Sequence, residues 1–123
     1  MNISEIKFFN EIEIDVVREI ENSCTIEAFG KDSVIFSKGS RADFLYILDE
    51  GNISLLVKDK GRTICNLTEP GEVFGWSAIV EQGIYTASSV CTSETRVLKI
   101  SRERIEDIFN RYPKAAVTFY RRL

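Results

Sequence analysis

Histidine is absent from this 123-residue chain. The absence removes the commonest general base, the commonest metal ligand and the axial ligand of most haem sites. It also excludes the iron centre made of two histidines and one carboxylate. No other residues assemble a nucleophile, a base and an orienting group. We therefore expect a protein that is not an enzyme and that has neither catalytic residues nor metal ligands.

Cysteine is scarce, and its spacing does not suggest disulfides. The three cysteines are Cys24, Cys65 and Cys91, an odd number at wide intervals. This pattern suits reduced thiols in the cytoplasm better than a disulfide framework. We interpret the three side chains as small buried hydrophobes.

Long apolar runs and an excess of positive charge are also missing. No apolar run approaches the roughly 18 residues that span a bilayer, and residues 1–5 do not begin a signal peptide. The net charge of -3 argues against a surface that binds nucleic acid, because phosphate binding needs clustered Lys and Arg. We expect a cytoplasmic protein that contacts neither membrane nor DNA directly.

The residues that are present, 44% of them hydrophobic, suffice for one compact domain over residues 1–123. Apolar residues at spacings of three and four predict helix over about 4–24. From about residue 25 to residue 100, short runs of Val, Ile, Phe and Thr end at glycines or turn-forming clusters. The predicted strands are Val34–Ser37, Phe44–Leu48, Ile53–Lys58, Arg62–Leu67, Thr86–Cys91 and Thr95–Ile100.

Turn and strand details refine this prediction. Phe44–Leu48 is apolar on both faces and should be a central strand. Asp59-Lys60-Gly61 favours a tight hairpin, and Glu69-Pro70-Gly71-Glu72 suits a type II turn. Many short strands at this spacing predict a mainly β fold, a barrel or jelly roll with flanking helices.

Two helices are predicted over about 101–123. Ser101 can cap the first, and Pro113 suits the first turn of the second. The second helix carries an apolar stripe that either pairs two copies as a homodimer or folds back on its own domain. The members of the stripe are Ala116, Phe119, Tyr120 and Leu123.

Four segments give the chain a resemblance to the cyclic-nucleotide-binding domain family, which includes the catabolite activator protein and related bacterial regulators. The segments are Gly30, Lys38-Gly39-Ser40, Phe44–Leu48 followed by Gly51, and Pro70-Gly71-Glu72-Val73-Phe74-Gly75. The resemblance implies a double-stranded β-helix jelly roll and a sensory or regulatory role. It also implies a phosphate-binding cassette, a short helix and loop that begins at the last of these glycines.

The cassette departs from the family at its two charged positions. In the family a glutamate that binds the ribose follows the glycine, and an arginine further on pairs with the cyclic phosphate. Trp76 and Tyr85 stand at these positions, whereas Thr86 and Ala87 match the family. The ligand-binding positions that the resemblance implies are Phe74, Gly75, Trp76, Ser77, Ala78, Tyr85, Thr86 and Ala87.

Loss of the arginine removes a charge-assisted contact worth roughly 1.5–3 kcal/mol. We therefore expect a sensory module for a nucleotide-like small ligand other than cyclic AMP or cyclic GMP. Arg41, Lys58 or Arg62 could supply the missing charge, or all three could be ordinary surface cations.

Trp76 and Tyr85 admit two interpretations. They could form an aromatic wall in an open pocket with Ser77, Ala78 and Thr86, roofed by the last helix. Alternatively they could fill the vacant pocket, which would leave a ligand-free module that binds a regulatory protein partner. A stand-alone relative of bacterial transcription regulators is a further alternative, and because no recognition helix follows the predicted helices, it would act through a partner protein.

Overall fold

The structure is a computed structural model that describes residues 2–57, 62–79 and 83–122, with 57 and 62–64 as backbone only. Eight strands lie within these residues: β1 (Thr25–Phe29), β2 (Val34–Phe36), β3 (Phe44–Glu50), β4 (Ile53–Val57), β5 (Arg62–Leu67), β6 (Val73–Phe74), β7 (Ser88–Cys91) and β8 (Thr95–Ser101). The helices there are α1 (Ile14–Ser23), α2 (Arg102–Arg111) and α3 (Pro113–Arg121). None of the helices described is long and apolar enough to cross a bilayer.

The strands form two antiparallel four-stranded sheets, with orders β1-β8-β3-β6 and β2-β7-β4-β5. This confirms the predicted jelly roll of mainly β structure, although the two sheets are not closed into a barrel. β3 pairs with both β8 and β6, so the prediction of a central strand there is also confirmed. β1 and β6 are not among the predicted strands, and β7 begins at Ser88 rather than at Thr86. The predicted hairpin at Asp59-Lys60-Gly61 lies outside the described residues.

The prediction of helix over the whole of residues 4–24 is wrong. Two short 3-10 turns, Ile3–Glu5 and Lys7–Phe9, precede α1. Glu11 has a φ of 70°, a left-handed conformation that a right-handed helix cannot contain. The α-helix therefore begins only at Ile14, after this residue.

The first sheet separates two apolar clusters, because alternate side chains of its strands point to opposite faces. Along β3, Leu45 and Ile47 face the helices, whereas Tyr46 and Leu48 face the second sheet. The helix-side core consists of Ile3, Phe9, Val16, Val17, Ile20, Leu45, Ile47, Ile79, Leu98, Ile100, Ile105, Ile108, Phe109 and Phe119. The roll interior consists of Phe36, Ala42, Tyr46, Leu48, Ile53, Leu67, Phe74, Ala78, Tyr85 and Val97.

The predicted caps and turns set the boundaries of these elements. Gly71 has a φ of 95°, and the Glu72 N–H donates to the Glu69 carbonyl at 3.2 Å, as the predicted turn requires. The Ser101 hydroxyl accepts a hydrogen bond from the Arg104 N–H at 3.2 Å at the start of α2. Pro113 is the first residue of α3, where a missing N–H costs nothing.

Two members of the stripe on α3, Ala116 and Phe119, pack against their own domain, whereas Leu123 lies outside the described residues. Phe119 is 1% exposed in the helix-side core, and Ala116 packs against the same core. Val117 and Tyr120 are more than 40% exposed. The homodimer through this helix stays a prediction.

Candidate functional site: the cassette of Gly75 and Tyr85

Gly75 ends β6 and turns the chain into a 3-10 turn, Trp76–Ala78. Its φ of 79° is left-handed, which glycine adopts without the steric cost that other residues incur. A Cβ at this position would also lie 3.0 Å from Tyr46 Cδ2 and 3.3 Å from the Phe44 carbonyl oxygen. Both the conformation and the close packing therefore favour glycine at the start of the cassette.

Tyr85 lies inside the roll, with only 4% of its surface exposed. Its ring stacks on Phe36 with centroids 3.9 Å apart and planes 12° apart. The hydroxyl donates to the Phe44 carbonyl at 2.6 Å and accepts from the Phe44 N–H at 3.3 Å. The side chain at the family's arginine position is therefore packed and hydrogen-bonded within the protein itself.

Tyr85 belongs to a group of stacked rings. Tyr46 stacks on Phe74 at 5.3 Å and on Phe36 at 5.8 Å. Burial is the main reason why the pKa of Tyr46 and that of Tyr85 lie above the ordinary phenol value. Both phenols consequently stay neutral, and they are hydrogen-bonding groups rather than charged ligands for a phosphate.

Trp76, at the family's glutamate position, points the other way. It packs against the helix-side core, with its ring 5.3 Å from Phe8 and 5.9 Å from Phe119. The structure therefore does not bring Trp76 and Tyr85 together, and a common aromatic wall does not form. The left-handed Gly75 explains the reversal, because it breaks the alternation that would put Trp76 on the same face as Phe74.

The other predicted positions divide in the same manner. Phe74 and Ala78 are buried in the roll interior with Tyr85, whereas Ser77 and Ala87 are half-buried and Thr86 is exposed. The last helix does contact the cassette, since the Tyr120 hydroxyl donates to the Ile79 carbonyl at 2.8 Å. That contact lies beside Trp76 on the helical side, so α3 does not roof a pocket around Tyr85.

Of the three candidate cations, Arg41 lines a cavity that Tyr85 also lines. Its side chain is 86% exposed and pairs with Asp43 at 2.9 Å. Lys58 lies outside the described residues, and Arg62 is described as backbone only. The replacement of the missing arginine by any of the three stays a hypothesis.

Sequence reasoning missed two polar groups near the roll interior. Lys99 Nζ lies 4.5 Å from the Phe44 ring centre and 3.0 Å from Glu27 Oε1, beside a cavity of about 320 Å³ that Tyr46 and Tyr85 also line. The alternation Val97-Leu98-Lys99 in β8 could have placed this lysine on the interior face. Ser89 is fully buried, and its Oγ has no hydrogen-bond partner in the described part of the chain.

The model of the cyclic nucleotide-binding domain family matches residues 26–112 of this chain. The chain belongs to that family. The cyclic AMP receptor protein of Thermus thermophilus is 32% identical over 85 residues, which cover 67% of this chain and 39% of that protein. A cGMP-dependent protein kinase of Eimeria tenella is 24% identical over 106 residues, which cover 86% of this chain and 10% of the kinase. The chain thus spans well under half the length of these two relatives.

Solved structures agree with the family assignment. A putative cyclic nucleotide-binding protein from Geobacter metallireducens superposes with a TM-score of 0.85 and 26% identity, over 95% of this chain and 86% of that one. The N-terminal domain of a transcriptional regulator from Streptomyces coelicolor gives a TM-score of 0.79 with 20% identity, over 99% and 89% of the two chains. The second similarity concerns the fold alone.

Proposed function

We propose that this cyclic-nucleotide-binding-like regulatory module keeps its cassette filled with its own Tyr85 and acts through contact with a partner protein. The observation that carries the proposal is the double hydrogen bond of the Tyr85 hydroxyl to Phe44, beneath a ring stacked on Phe36. In the family the equivalent position supplies a cation for the ligand. Here the side chain at that position makes its contacts within the domain.

Displacing Tyr85 to admit a cyclic nucleotide would be costly. Loss of the stack on Phe36 costs about 0.5–1.5 kcal/mol, and leaving the partly buried Phe44 backbone groups without partners costs about 1–3 kcal/mol. Together these losses lower the affinity of an incoming ligand by roughly two orders of magnitude. The ligand would then meet no arginine at position 85.

The test is a thermal-shift comparison with cyclic AMP, cyclic GMP and cyclic dinucleotides. We expect no shift for the unaltered protein, and a shift for Tyr85→Arg, which restores the family's cation. Tyr85→Phe is the matched control, because it keeps the ring and adds no charge. A ligand at a hundredfold excess over its Kd should stabilise the fold by about 2.7 kcal/mol, so a shift with the unaltered protein would refute the proposal.

A second candidate function is the sensing of a different small ligand. The cavity beside Tyr85 favours it, since about 320 Å³ between aromatic walls is near the lower limit for small-molecule sites. Lys99 and Arg41, which also line the cavity, would bind an anionic group in exchange for their ion pairs with Glu27 and Asp43. A metabolite that shifts the melting temperature of the unaltered protein but not of Lys99→Gln would favour this function.

The proposal also includes three expectations about activity, DNA binding and location. The module is not an enzyme, and its net charge of -3 argues against direct DNA contact. The cytoplasm is the proposed location, because Cys24, Cys65 and Cys91 are all unpaired thiols.

A further inference from the structure

An open groove runs between the N-terminal turns and the turn after β5, on the opposite side of the first sheet from Tyr85. Its volume is about 1210 Å³. The residues of this acidic groove fall into two groups. The apolar floor is formed by residues that pack against the helix-side core, Ile6, Phe8, Val73 and Trp76, and the charged rim by Glu5, Lys7, Glu11, Asp49, Glu69, Glu72 and Arg122.

The two walls of the groove are fixed by packing. A Cβ at Gly71 would lie 3.1 Å from Ile6 Cγ2, so the N-terminal segment rests directly on this turn. Phe8 contacts Trp76 at 5.3 Å and Phe119 at 4.8 Å between ring centres. The groove is therefore a preformed surface, which lowers the entropic cost of binding a partner.

The rim carries five carboxylates and two cations. Arg122 pairs with Glu11 at 3.6 Å, and Arg96, from outside the groove, pairs with Asp49 at 2.6 Å. Glu5 and Glu69 form no ion pair within the described residues, and both are exposed. Two unpaired carboxylates thus flank an apolar floor, and the local potential is negative.

Trp76 adds an unused donor. Its ring is half-buried at the base of the groove, and its indole N–H donates no hydrogen bond within the part of the chain that is described. A tryptophan that is packed on one side and open to a groove on the other is a typical anchor of a protein interface. A carbonyl oxygen of an extended or helical segment would satisfy the N–H.

We propose that the acidic groove binds a cationic amphipathic segment of a partner protein, with an apolar side chain on Trp76 and Phe8 and with Lys or Arg side chains beside Glu5 and Glu69. The apolar floor and the two unpaired carboxylates are complementary to that chemistry, and the carboxylates of the rim outnumber its cations. The inference rests on the proposed function, because it supplies the protein contact through which the module acts.

The test uses fluorescence, since Trp76 is the sole tryptophan of the chain. A short synthetic peptide of repeated Leu-Lys-Lys-Leu blocks is titrated into the full chain. We expect a change in Trp76 emission that weakens as salt rises, because the Debye length falls from about 10 Å at 0.1 M to about 3 Å at 1 M. Peptides with Glu in place of Lys, or Ser in place of Leu, should leave the emission unchanged.

Charge-removing variants distinguish binding at the acidic groove from non-specific attraction between the peptide and the protein. Glu5→Gln with Glu69→Gln should weaken binding of the Leu-Lys peptide about three- to tenfold. Glu94→Gln with Glu103→Gln removes the same charge from exposed positions outside the groove and should leave the affinity unchanged. Equal weakening in both double variants, no weakening in either, or equal binding of the Leu-Glu peptide would overturn the proposal.

The outcome is independent of the cyclic-nucleotide test. An unchanged emission with the Leu-Lys peptide overturns the groove alone, even if cyclic nucleotides also fail to bind. A cyclic nucleotide that binds the unaltered protein overturns the filled cassette instead.

Discussion

Tyr85 and Trp76 replace the two charged residues of the family, yet they serve different parts of the molecule. Tyr85 is 4% exposed in the roll interior, where its hydroxyl and ring have partners from β3 and β2. Trp76 packs on the other side of the first sheet, against Phe8 and Phe119 of the terminal segments. One substitution therefore fills the ligand position, whereas the other joins the cassette to the helices.

Truncation of an aromatic side chain in the helix-side core should cause the largest loss of stability. Phe119→Ala removes a ring that touches Phe8, Phe9, Trp76 and Phe109, so we expect a loss of about 3–5 kcal/mol in the free energy of unfolding. Urea denaturation measures it. Val117→Ala, on the exposed face of α3, is the control and should cost well under half as much. Equal losses would show that α3 does not depend on this contact.

The roll interior should lose stability when the hydroxyl oxygen of Tyr85 is removed. Tyr85→Phe keeps the stack on Phe36 but removes both hydrogen bonds to Phe44, so we expect a loss of about 1–3 kcal/mol. Tyr120→Phe removes a single hydrogen bond to Ile79 from a half-exposed ring and should cost about 0.5–1.5 kcal/mol. A larger loss of stability in urea for Tyr120→Phe than for Tyr85→Phe would contradict the structural role of the Tyr85 hydroxyl.

At Gly75, the energetic cost of a side chain at positive φ can be separated from the cost of close packing. Gly75→Ala places a Cβ against Tyr46 at a positive φ, and we expect a loss of about 2 kcal/mol. Gly39 has a similar φ of 86° but no atom within 4 Å of a Cβ, so Gly39→Ala should cost about 1 kcal/mol from conformation alone. Equal unfolding free energies for the two variants would contradict tight packing at Gly75.

Alkaline pH should also lower the free energy of unfolding through the phenols of the roll interior, by less than the substitutions above. Burial raises the pKa of Tyr46 and of Tyr85 in the folded protein, so the folded state binds more protons than the unfolded state above about pH 10. The stabilising contribution of these phenols is full below that pH and is lost as pH rises through their folded pKa values. Urea midpoints measured across this range should fall, and less steeply in Tyr85→Phe. An identical slope in both proteins would contradict a role for Tyr85.

Much of the fold followed from the sequence, because alternation and turn residues fix it locally. The Pro70-Gly71 turn, the central strand Phe44–Leu48 and the Ser101 cap were all read from such patterns. β1 was harder to recognise, since it is an edge strand whose Ile26 is 65% exposed. The left-handed Glu11 gave no signal in the helical spacing around it.

The site was less predictable than the fold. The resemblance identified the cassette positions, and one of the two interpretations left open was that Trp76 and Tyr85 together fill the pocket, whereas only Tyr85 lies in the roll interior. The direction of Trp76 depends on the left-handed turn at Gly75, which redirects the chain within one residue. The acidic groove joins residues near the N-terminus to a turn near residue 70, and no local pattern connects segments so far apart.

The most direct measurement of the central claim is a nuclear Overhauser experiment between the ring protons of Tyr85 and Phe36, with and without millimolar cyclic AMP. Their centroids lie 3.9 Å apart, so strong cross-peaks are expected. We expect these cross-peaks to be the same in both samples, because Tyr85 keeps the ligand position. Cross-peaks that disappear when cyclic AMP is added would show that Tyr85 yields to a ligand, and would contradict the account.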